Sequence, residues 1–268
     1  MDSIILPFMS GDTTDPMAWI FNHSLDHSYA GESGFLGVLG SLGITKFTLN
    51  MWLSAGILLF VMWRTDTTSK IPSGKLRGTI ELLYGFIRDE IVYPMMGPKY
   101  GRTFLPFFLT LFSFILVMNF VGLMPIPGIG GAATSNINLT AALAIITFLV
   151  SLVGGIWYNG PIGFLKSFMP SGVPLLVMPI LFPIEILGFV IKHAVLAIRL
   201  FANMLAGHLV LGSFLGLIFV YKNFIAVGGA IPLALFVALL EVMVAFLQAY
   251  VFTLLAVLFV GGSVHPEH

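Results

Sequence analysis

Two apolar runs in this sequence, 171–220 and 224–262, are much longer than an ordinary helix of a soluble domain. A helix needs about 20 predominantly apolar residues to cross the ~30 Å hydrocarbon core of a bilayer. A continuous helix over 175–216 would be ~60 Å long at 1.5 Å per residue. Each run must therefore either break or cross the membrane at a strong tilt. The middles of both runs lack proline, which favours two strongly tilted helices that form a hairpin.

Proline is confined to the starts of these two runs, at Pro174, Pro179 and Pro183 in the first and at Pro232 in the second. Proline removes a backbone donor and crowds the preceding turn of a helix. We therefore expect both long helices to begin irregularly.

The rest of the chain has the composition of a membrane protein, since 58% of its residues are hydrophobic and only 9% are charged. Soluble domains carry about 25% charged residues. Three further apolar segments are long enough to span a bilayer, at about 47–63, 104–124 and 138–158. The sequence therefore predicts an all-α integral membrane domain over 46–268 with about five membrane helices, preceded by the acidic segment 1–45.

Charged residues outside the spans predict the orientation of the chain. Residues 1–45 contain five acidic residues and no lysine or arginine, whereas 64–102 holds seven of the twelve basic residues. Basic flanks mark the cytoplasmic side of a membrane protein. The N-terminus is therefore predicted outside and the C-terminus in the cytoplasm. Apolar and charged residues alternate with helical spacing over 79–96, which predicts an amphipathic helix on the inner membrane surface.

Several classes of function do not fit the sequence. Zero net charge gives no indication of nucleic-acid binding, and the absence of cysteine excludes disulfides and cysteine metal sites. No G-x-x-x-x-G-K-[ST] motif is present, so we expect no P-loop nucleotide site. The "HSLDH" stretch at 23–27 lacks a third ligand and is interpreted as a solvated surface. We expect no metal, no cofactor and no cleavable signal peptide.

Charged side chains inside the first long run lie on one stripe. Glu185, Lys192 and Arg199 recur every seven residues, close to two helical turns. Asn203, four residues after Arg199, stays on the same flank, whereas His208 points to the opposite side. An arginine at the bilayer centre costs ~2.5–3.5 kcal/mol on insertion scales. Some partner or task must offset that cost.

Folding the two runs into a hairpin pairs residues whose numbers sum to about 449. His208 then comes level with Glu241, and Arg199 with Gln248. Glu185 lies in the inner half, so the hairpin has two polar zones that open to opposite sides, with a fixed positive charge between them. Arginine cannot be deprotonated in a protein, whereas glutamate and histidine exchange protons once their surroundings shift them. The pattern indicates ion transport with a carboxylate from a partner subunit.

Other interpretations of these residues remain open. Lys192 can equally extend to the inner membrane interface, His193 is better explained as a structural or interfacial histidine, and His208 with Glu241 can be a buried hydrogen-bonded pair. Glu185 is ~21 Å from Arg199 along the helix, which is too far for an ion pair. A secondary transporter is the runner-up function, although no inverted repeat is evident. A purely structural membrane anchor is the third.

Two stretches resemble a known family. The segment "LAIRLFANMLAGHLVL" at 196–211 resembles the signature of subunit a of the F-type ATP synthase. The segment "FLPFFLTLFSFILVMNFVGLMP" at 104–125 is similar to another recognisable stretch of that family, and 86–104 and 241–260 also fit. The resemblance covers about 45–263.

The resemblance implies a proton-translocating stator subunit with no catalytic site of its own. Arg199 would face the carboxylates of a rotor c-ring. The outer half-channel would contain Asn203, His208, Glu241 and Gln248, and the inner one Glu185 and Lys192. Other implied partners are peripheral-stalk b subunits, the bilayer and translocated H⁺, with Na⁺ as an alternative. A bacterial plasma (inner) membrane is expected, ahead of the mitochondrial inner membrane.

This chain departs from the family pattern at two places. Many bacterial members have an acid at the position of His208 and a histidine at that of Glu241, so the order here looks like the mitochondrial one. Asn136 stands where some members carry an aspartate, which argues against a proton-uptake role for 125–137.

Overall fold

A computed structural model describes residues 45–65, 75–124, 132–168, 177–221 and 224–265. Regular structure within these ranges is helical, and no strand occurs in them. Five of the described helices are long and apolar enough to cross a membrane. The predicted all-α membrane class is confirmed. The acidic segment up to residue 44, with its "HSLDH" stretch, and Pro174 lie outside the described residues.

The helices are numbered in chain order. They are α1 Lys46–Arg64, α2 Lys75–Phe86, α3 Tyr93–Leu123, α4 Ile137–Lys166, α5 Met178–Tyr221 and α6 Phe224–Val264. A short π-helix, Ile87–Val92, joins α2 to α3, and one 3₁₀ turn, Ala133–Ser135, precedes α4.

Glycine breaks the helical backbone at two places, each just before a proline. Gly97 has φ 69° and precedes Pro98, while Gly160 has φ 72° and precedes Pro161. Only glycine adopts such left-handed values without strain, and proline suits the start of the next helical turn. The first break follows the predicted amphipathic segment 79–96 directly, which separates it from the apolar part of α3. Its location on the inner membrane surface stays a prediction.

Helices α5 and α6 are continuous over 44 and 41 residues, although Pro179 and Pro183 lie in α5 and Pro232 lies in α6. The expected irregular beginnings are therefore wrong at Pro183 and Pro232, which lie inside the helices. Each proline removes one hydrogen bond within the first three turns, a loss that local adjustments and neighbouring helices compensate in membrane proteins. At 1.5 Å per residue, α5 is ~66 Å long, about twice the ~30 Å thickness of the hydrocarbon core. A strong tilt of this helix in the membrane therefore stays a prediction.

Large apolar side chains are exposed along the spanning helices. Trp63 at the end of α1 and Trp157 in α4 are 81% and 82% exposed. Exposed apolar surface on this scale marks contact with lipid or with other subunits. Tryptophan is also enriched where a helix leaves the hydrocarbon core.

The described chain divides into two compact units. The first unit contains 45–53, 118–124, 132–136, 201–221 and 224–246. The second unit contains 54–65, 75–117, 137–168, 177–200 and 247–265.

The core of the second unit is built mainly from aromatic and branched side chains, including the fully buried Phe108, Ile115 and Phe252. One polar contact ties α4 to the end of α6, since Asn159 Nδ2 donates hydrogen bonds to the carbonyl oxygens of Ser263 and Val264, at 2.9 and 3.2 Å. These carbonyls belong to the last turn of α6, where no intrahelical donor remains for them. The contact therefore fixes the end of α6 against α4.

Candidate functional site

Arg199 lies on α5 in the second unit with its side chain exposed at the surface of the chain. Within the described ranges the guanidinium forms no hydrogen bond and no ion pair. Lys192, on the same stripe, is also exposed, and Glu185 is half-buried. The cost of holding Arg199 in an apolar helix is therefore not offset by the described part of this chain. Any countercharge for Arg199 therefore lies outside the described residues.

The first unit contains a buried polar cluster around Asn119, near the end of α3. The Asn119 side chain is fully buried. Its Nδ2 donates a hydrogen bond to the carbonyl oxygen of Ala245 on α6, at 3.1 Å. Its Oδ1 accepts a hydrogen bond from Thr134 Oγ1, at 2.8 Å. One amide thus connects α3, α6 and the 3₁₀ turn, and each of its two polar ends has a partner.

The turn that carries Thr134 also contacts His208. The backbone N–H of Ala132 donates a hydrogen bond to His208 Nε2, at 3.1 Å. Ser135 Oγ donates a hydrogen bond to the carbonyl oxygen of Ala132, at 2.7 Å. Because Nε2 accepts, the neutral His208 ring carries its hydrogen on Nδ1; this tautomer is assigned from the hydrogen bond.

Gly122 lets the turn approach α3 closely. A Cβ atom at Gly122 would collide with the backbone and side chain of Ala132. Ala132, Ala133 and Thr134 are fully buried, so the turn is packed against the helices and kept from solvent. The glycine therefore determines how close the Ala132 donor comes to the neighbouring helices.

Glu241 lies on α6 in the first unit and is 8% exposed. Neither of its carboxylate oxygens has a hydrogen-bond partner among the described residues. The carboxylate packs against Gly207, where an added Cβ would lie 2.6 Å from Glu241 Oε1. A buried carboxylate without a hydrogen bond is costly, so such a group calls for a functional explanation.

The sequence left a hydrogen bond between His208 and Glu241 open as one interpretation, and no such bond occurs among the described residues. The Ala132 N–H occupies the Nε2 lone pair of His208, and Glu241 lies against the residue that precedes the histidine. The helix register predicted that His208 and Glu241 lie at the same level. It could not predict that the N–H of Ala132, from the turn before α4, would bond to the histidine.

Contacts between α5 and α6 follow the expected antiparallel register within each unit. Gly207 faces Glu241 in the first unit. In the second unit the ring of His193 lies 5.1 Å from that of Phe259. Both pairs are close to the expected rule that facing residues have numbers summing to about 449.

The other predicted polar residues occupy the same two helices. Asn203 is half-buried on α5 in the first unit, and Gln248 is 5% exposed on α6 in the second unit. No hydrogen bond joins Arg199 to Gln248. Asn136, which stands where some members of the resembled family carry an aspartate, follows the 3₁₀ turn. Its backbone N–H donates a hydrogen bond to the carbonyl oxygen of Ala133, at 3.1 Å.

His193 has a polar neighbour at each ring nitrogen in the second unit. Its Nδ1 donates a hydrogen bond to the carbonyl oxygen of Phe189, at 2.9 Å, and its Nε2 is 3.2 Å from Ser151 Oγ. The rings of Phe148, Phe189 and Phe259 surround it at centroid distances of 5.3, 5.0 and 5.1 Å. This environment supports the structural interpretation of His193.

Sequence reasoning missed four residues of these clusters, namely Asn119, Thr134, Gly207 and Ser151. An asparagine inside an apolar run is a usable signal, because an amide in a span needs a partner. The other three carry no comparable signal. No group of three or more His, Asp or Glu side chains suited to a metal ion occurs in the described parts of the chain.

Comparison with known proteins identifies the family. A family model described as "ATP synthase A chain" matches residues 48–261. The chain belongs to the ATP synthase subunit a family. The matched range includes Arg199 and the whole cluster around Asn119. Together with the five apolar helices, this family membership makes the chain an integral membrane protein.

Individual members of the subunit a family are similar over most of this chain. The ATP synthase subunit a of Chloroherpeton thalassium is 43% identical over 234 residues, which cover 85% of this chain and 68% of the relative. That of Myxococcus xanthus is also 43% identical, over 230 residues that cover 85% of this chain and 75% of the relative. That of Anaeromyxobacter dehalogenans is 40% identical over 254 residues, which cover 93% of this chain but 65% of the relative.

Proposed function

We propose that this chain is the stator subunit of a rotary ATP synthase that carries protons to and from a rotor ring. The observation that supports this most directly is Arg199, an exposed guanidinium in the middle of a long apolar helix with no partner in the described part of the chain. A rotor carboxylate that passes this point would supply the missing countercharge. Protons would reach the rotor through one half-channel and leave through the other.

Arg199 acts as a fixed positive charge between the two half-channels. Arginine keeps its proton under all physiological conditions, so it cannot relay protons itself. Its charge attracts an ionised rotor carboxylate and opposes the direct passage of a proton between the half-channels. Protons therefore cross only when the rotor carries them, which couples their flow to rotation.

The outer half-channel uses His208 and Glu241 as proton-exchanging groups, with Asn203 and Gln248 as polar lining. Glu241 is suited to exchange because no described hydrogen bond holds its carboxylate in one protonation state. A proton can join or leave it without the loss of a protein contact. Glu185 and Lys192, on the stripe of Arg199, line the inner half-channel.

The complete machine requires partners that this chain does not contain. The rotor c-ring brings the moving carboxylates, and peripheral-stalk b subunits hold the stator in place. The membrane is a bacterial plasma membrane with the N-terminus of the chain outside. The transported ion is H⁺, and pumping that depends on added Na⁺ would contradict that assignment.

Replacement of the arginine tests the function. In the complete ATP synthase reconstituted in liposomes, Arg199→Ala should abolish ATP-driven proton pumping, measured with a fluorescent pH indicator. ATP hydrolysis by the soluble part should remain measurable. Lys166→Ala, which removes another exposed cation at the end of α4, is the matched control and should pump normally. Normal coupled pumping by Arg199→Ala would contradict the proposal.

A further inference from the structure

We propose that the Ala132–Ser135 turn is a latch on His208, which fixes the tautomer of the neutral ring and releases the ring when it takes up a proton. The donor of the latch is the backbone N–H of Ala132. Asn119 and Thr134 are positioning residues, because they act on His208 only through the turn. The inference rests on the proposed function, since it concerns the same outer proton path.

Three contacts hold the latch in place. Thr134 Oγ1 donates to Asn119 Oδ1 at 2.8 Å, and Asn119 Nδ2 donates to the carbonyl oxygen of Ala245 at 3.1 Å. Gly122 allows the backbone of Ala132 to pack directly on α3. The turn is therefore anchored on two helices while its N–H points at a third. Such an anchored donor selects one tautomer of a histidine, as hydrogen-bond partners of histidine rings generally do.

The latch and a second proton compete for the same lone pair. Nε2 of the neutral ring has one lone pair, which accepts the Ala132 N–H at 3.1 Å. A proton from water that adds to Nε2 produces an imidazolium with hydrogens on both nitrogens. Ala132 then loses its acceptor, and the buried N–H favours movement of the turn. Transfer of one ring proton to an ionised Glu241 oxygen restores the neutral ring and leaves Glu241 as a carboxylic acid.

Few charged groups of the first unit can interfere with this exchange. Glu241 is the titratable group on α6, and residues 118–124 and 132–136 carry none. Among the described side chains of α5 in this unit, His208 is the titratable one. Lys46 on α1 is the other charged described side chain, and its ammonium lies 5.1 Å from the centre of the Phe47 ring. Glu241 is therefore the acceptor we expect for the proton of His208.

The tautomer of His208 can be measured directly. The complete ATP synthase, with ¹⁵N-labelled histidine, is reconstituted in lipid and studied by solid-state NMR, and His208→Gln identifies the signal. We expect the wild type above neutral pH to show His208 protonated on Nδ1 alone. Thr134→Val, which removes only the hydroxyl of the anchor, should add the tautomer protonated on Nε2. Thr134→Ser should restore the wild-type spectrum.

A matched control separates the latch from a general loss of packing. Thr147 is also fully buried, and its hydroxyl donates to the carbonyl oxygen of Ala144 within α4 of the second unit. Thr147→Val should leave the His208 spectrum unchanged. An unchanged spectrum in Thr134→Val would overturn the latch, as would an equal change in Thr147→Val.

Removal of the donor itself gives a second test. Ala132 has φ −71°, which proline can adopt, so Ala132→Pro deletes the N–H. The proline Cδ, bonded to a nitrogen that lies 3.1 Å from His208 Nε2, also displaces the ring from the turn. Ala132→Pro should add the His208 tautomer protonated on Nε2 to the spectrum, as Thr134→Val does. Hydrogen–deuterium exchange over 132–135, corrected for the intrinsic effect of pH, should accelerate where NMR shows His208 protonated on both nitrogens. Exchange that is independent of the His208 state would overturn the release step.

Proton flux connects the latch to function. Passive proton conduction through the membrane sector, after removal of the soluble part, should fall by roughly 3- to 10-fold in Thr134→Val, the effect of losing one hydrogen bond, and should recover in Thr134→Ser. Unchanged conduction in Thr134→Val would contradict a role of the latch in transport. Failure of the proposed function is distinguishable, since it would appear as normal coupled pumping in Arg199→Ala.

Discussion

His193 and His208 lie on the same apolar helix, α5, but in different units and in opposite chemical situations. His193 is 3% exposed, has a hydrogen-bond partner at each ring nitrogen and is surrounded by phenylalanine rings. His208 is half-buried, accepts a hydrogen bond from a backbone N–H, and follows a glycine packed on the carboxylate of Glu241. His193 has polar neighbours at both ring nitrogens, whereas His208 lies near the Glu241 carboxylate, which has no hydrogen bond among the described residues.

The difference teaches that an ionisable residue inside a membrane helix is not functional by its presence alone. A histidine whose two nitrogens are both bonded and whose ring is enclosed by apolar groups has little to gain from a change of protonation. A histidine near an unsatisfied carboxylate can exchange a proton without leaving its place.

Replacement of each histidine gives the largest contrast. His208→Ala should lower ATP-driven proton pumping at least tenfold, because it removes a proton-exchanging group from the proposed outer half-channel. His193→Phe should retain more than half of the wild-type rate, because its site is lined by aromatic rings and conducts no protons. Pumping is measured in liposomes that contain equal amounts of assembled complex. Equal losses in the two variants would remove the distinction between the histidines.

A methyl group beside Glu241 should give an intermediate effect. Gly207→Ala places a Cβ atom 2.6 Å from Glu241 Oε1, so the carboxylate or the helix must shift. We expect pumping to fall by roughly 3- to 10-fold, as is typical when a reacting group is displaced by less than an ångström.

Gly188→Ala is the control for that experiment, since it adds the same methyl group to the same helix. A Cβ atom at Gly188 would meet nothing within 4 Å. It should therefore pump normally. An equal loss in both variants would indicate a general effect on α5, and no loss in Gly207→Ala would argue against a precise position of Glu241.

Loss of a partner of His193 should have the smallest effect. Ser151→Ala removes the hydroxyl that lies 3.2 Å from His193 Nε2. The free energy of unfolding should fall by ~0.5–1.5 kcal/mol, the usual contribution of one hydrogen bond. Thermal inactivation of the complex in detergent measures this loss, while the initial pumping rate should stay at the wild-type level. A pumping defect as large as that of His208→Ala would assign His193 to the proton path.

The sequence alone determined the class of the protein, the approximate spans and the stripe of Glu185, Lys192 and Arg199. These properties depend on hydropathy and helical period, which are local and can be counted along one chain. The approximate register that brings Glu241 level with His208 also followed from sequence, because an antiparallel hairpin with a short turn has one register. The continuity of the helices through Pro183 and Pro232 could not be predicted from sequence, since neighbouring groups decide whether a proline bends a membrane helix.

Only the tertiary structure decided which polar groups meet. Ala132 donates to His208 across 76 positions of sequence, and Asn119 reaches Ala245 across 126. No periodic pattern relates residues so far apart, and nothing in the composition of the uncharged turn distinguishes Thr134 from its neighbours. A donor from that turn occupies His208 and leaves Glu241 without a described hydrogen bond. Which partner a buried polar group finds depends on distance and angle in three dimensions, because hydrogen bonds weaken steeply outside a narrow geometry.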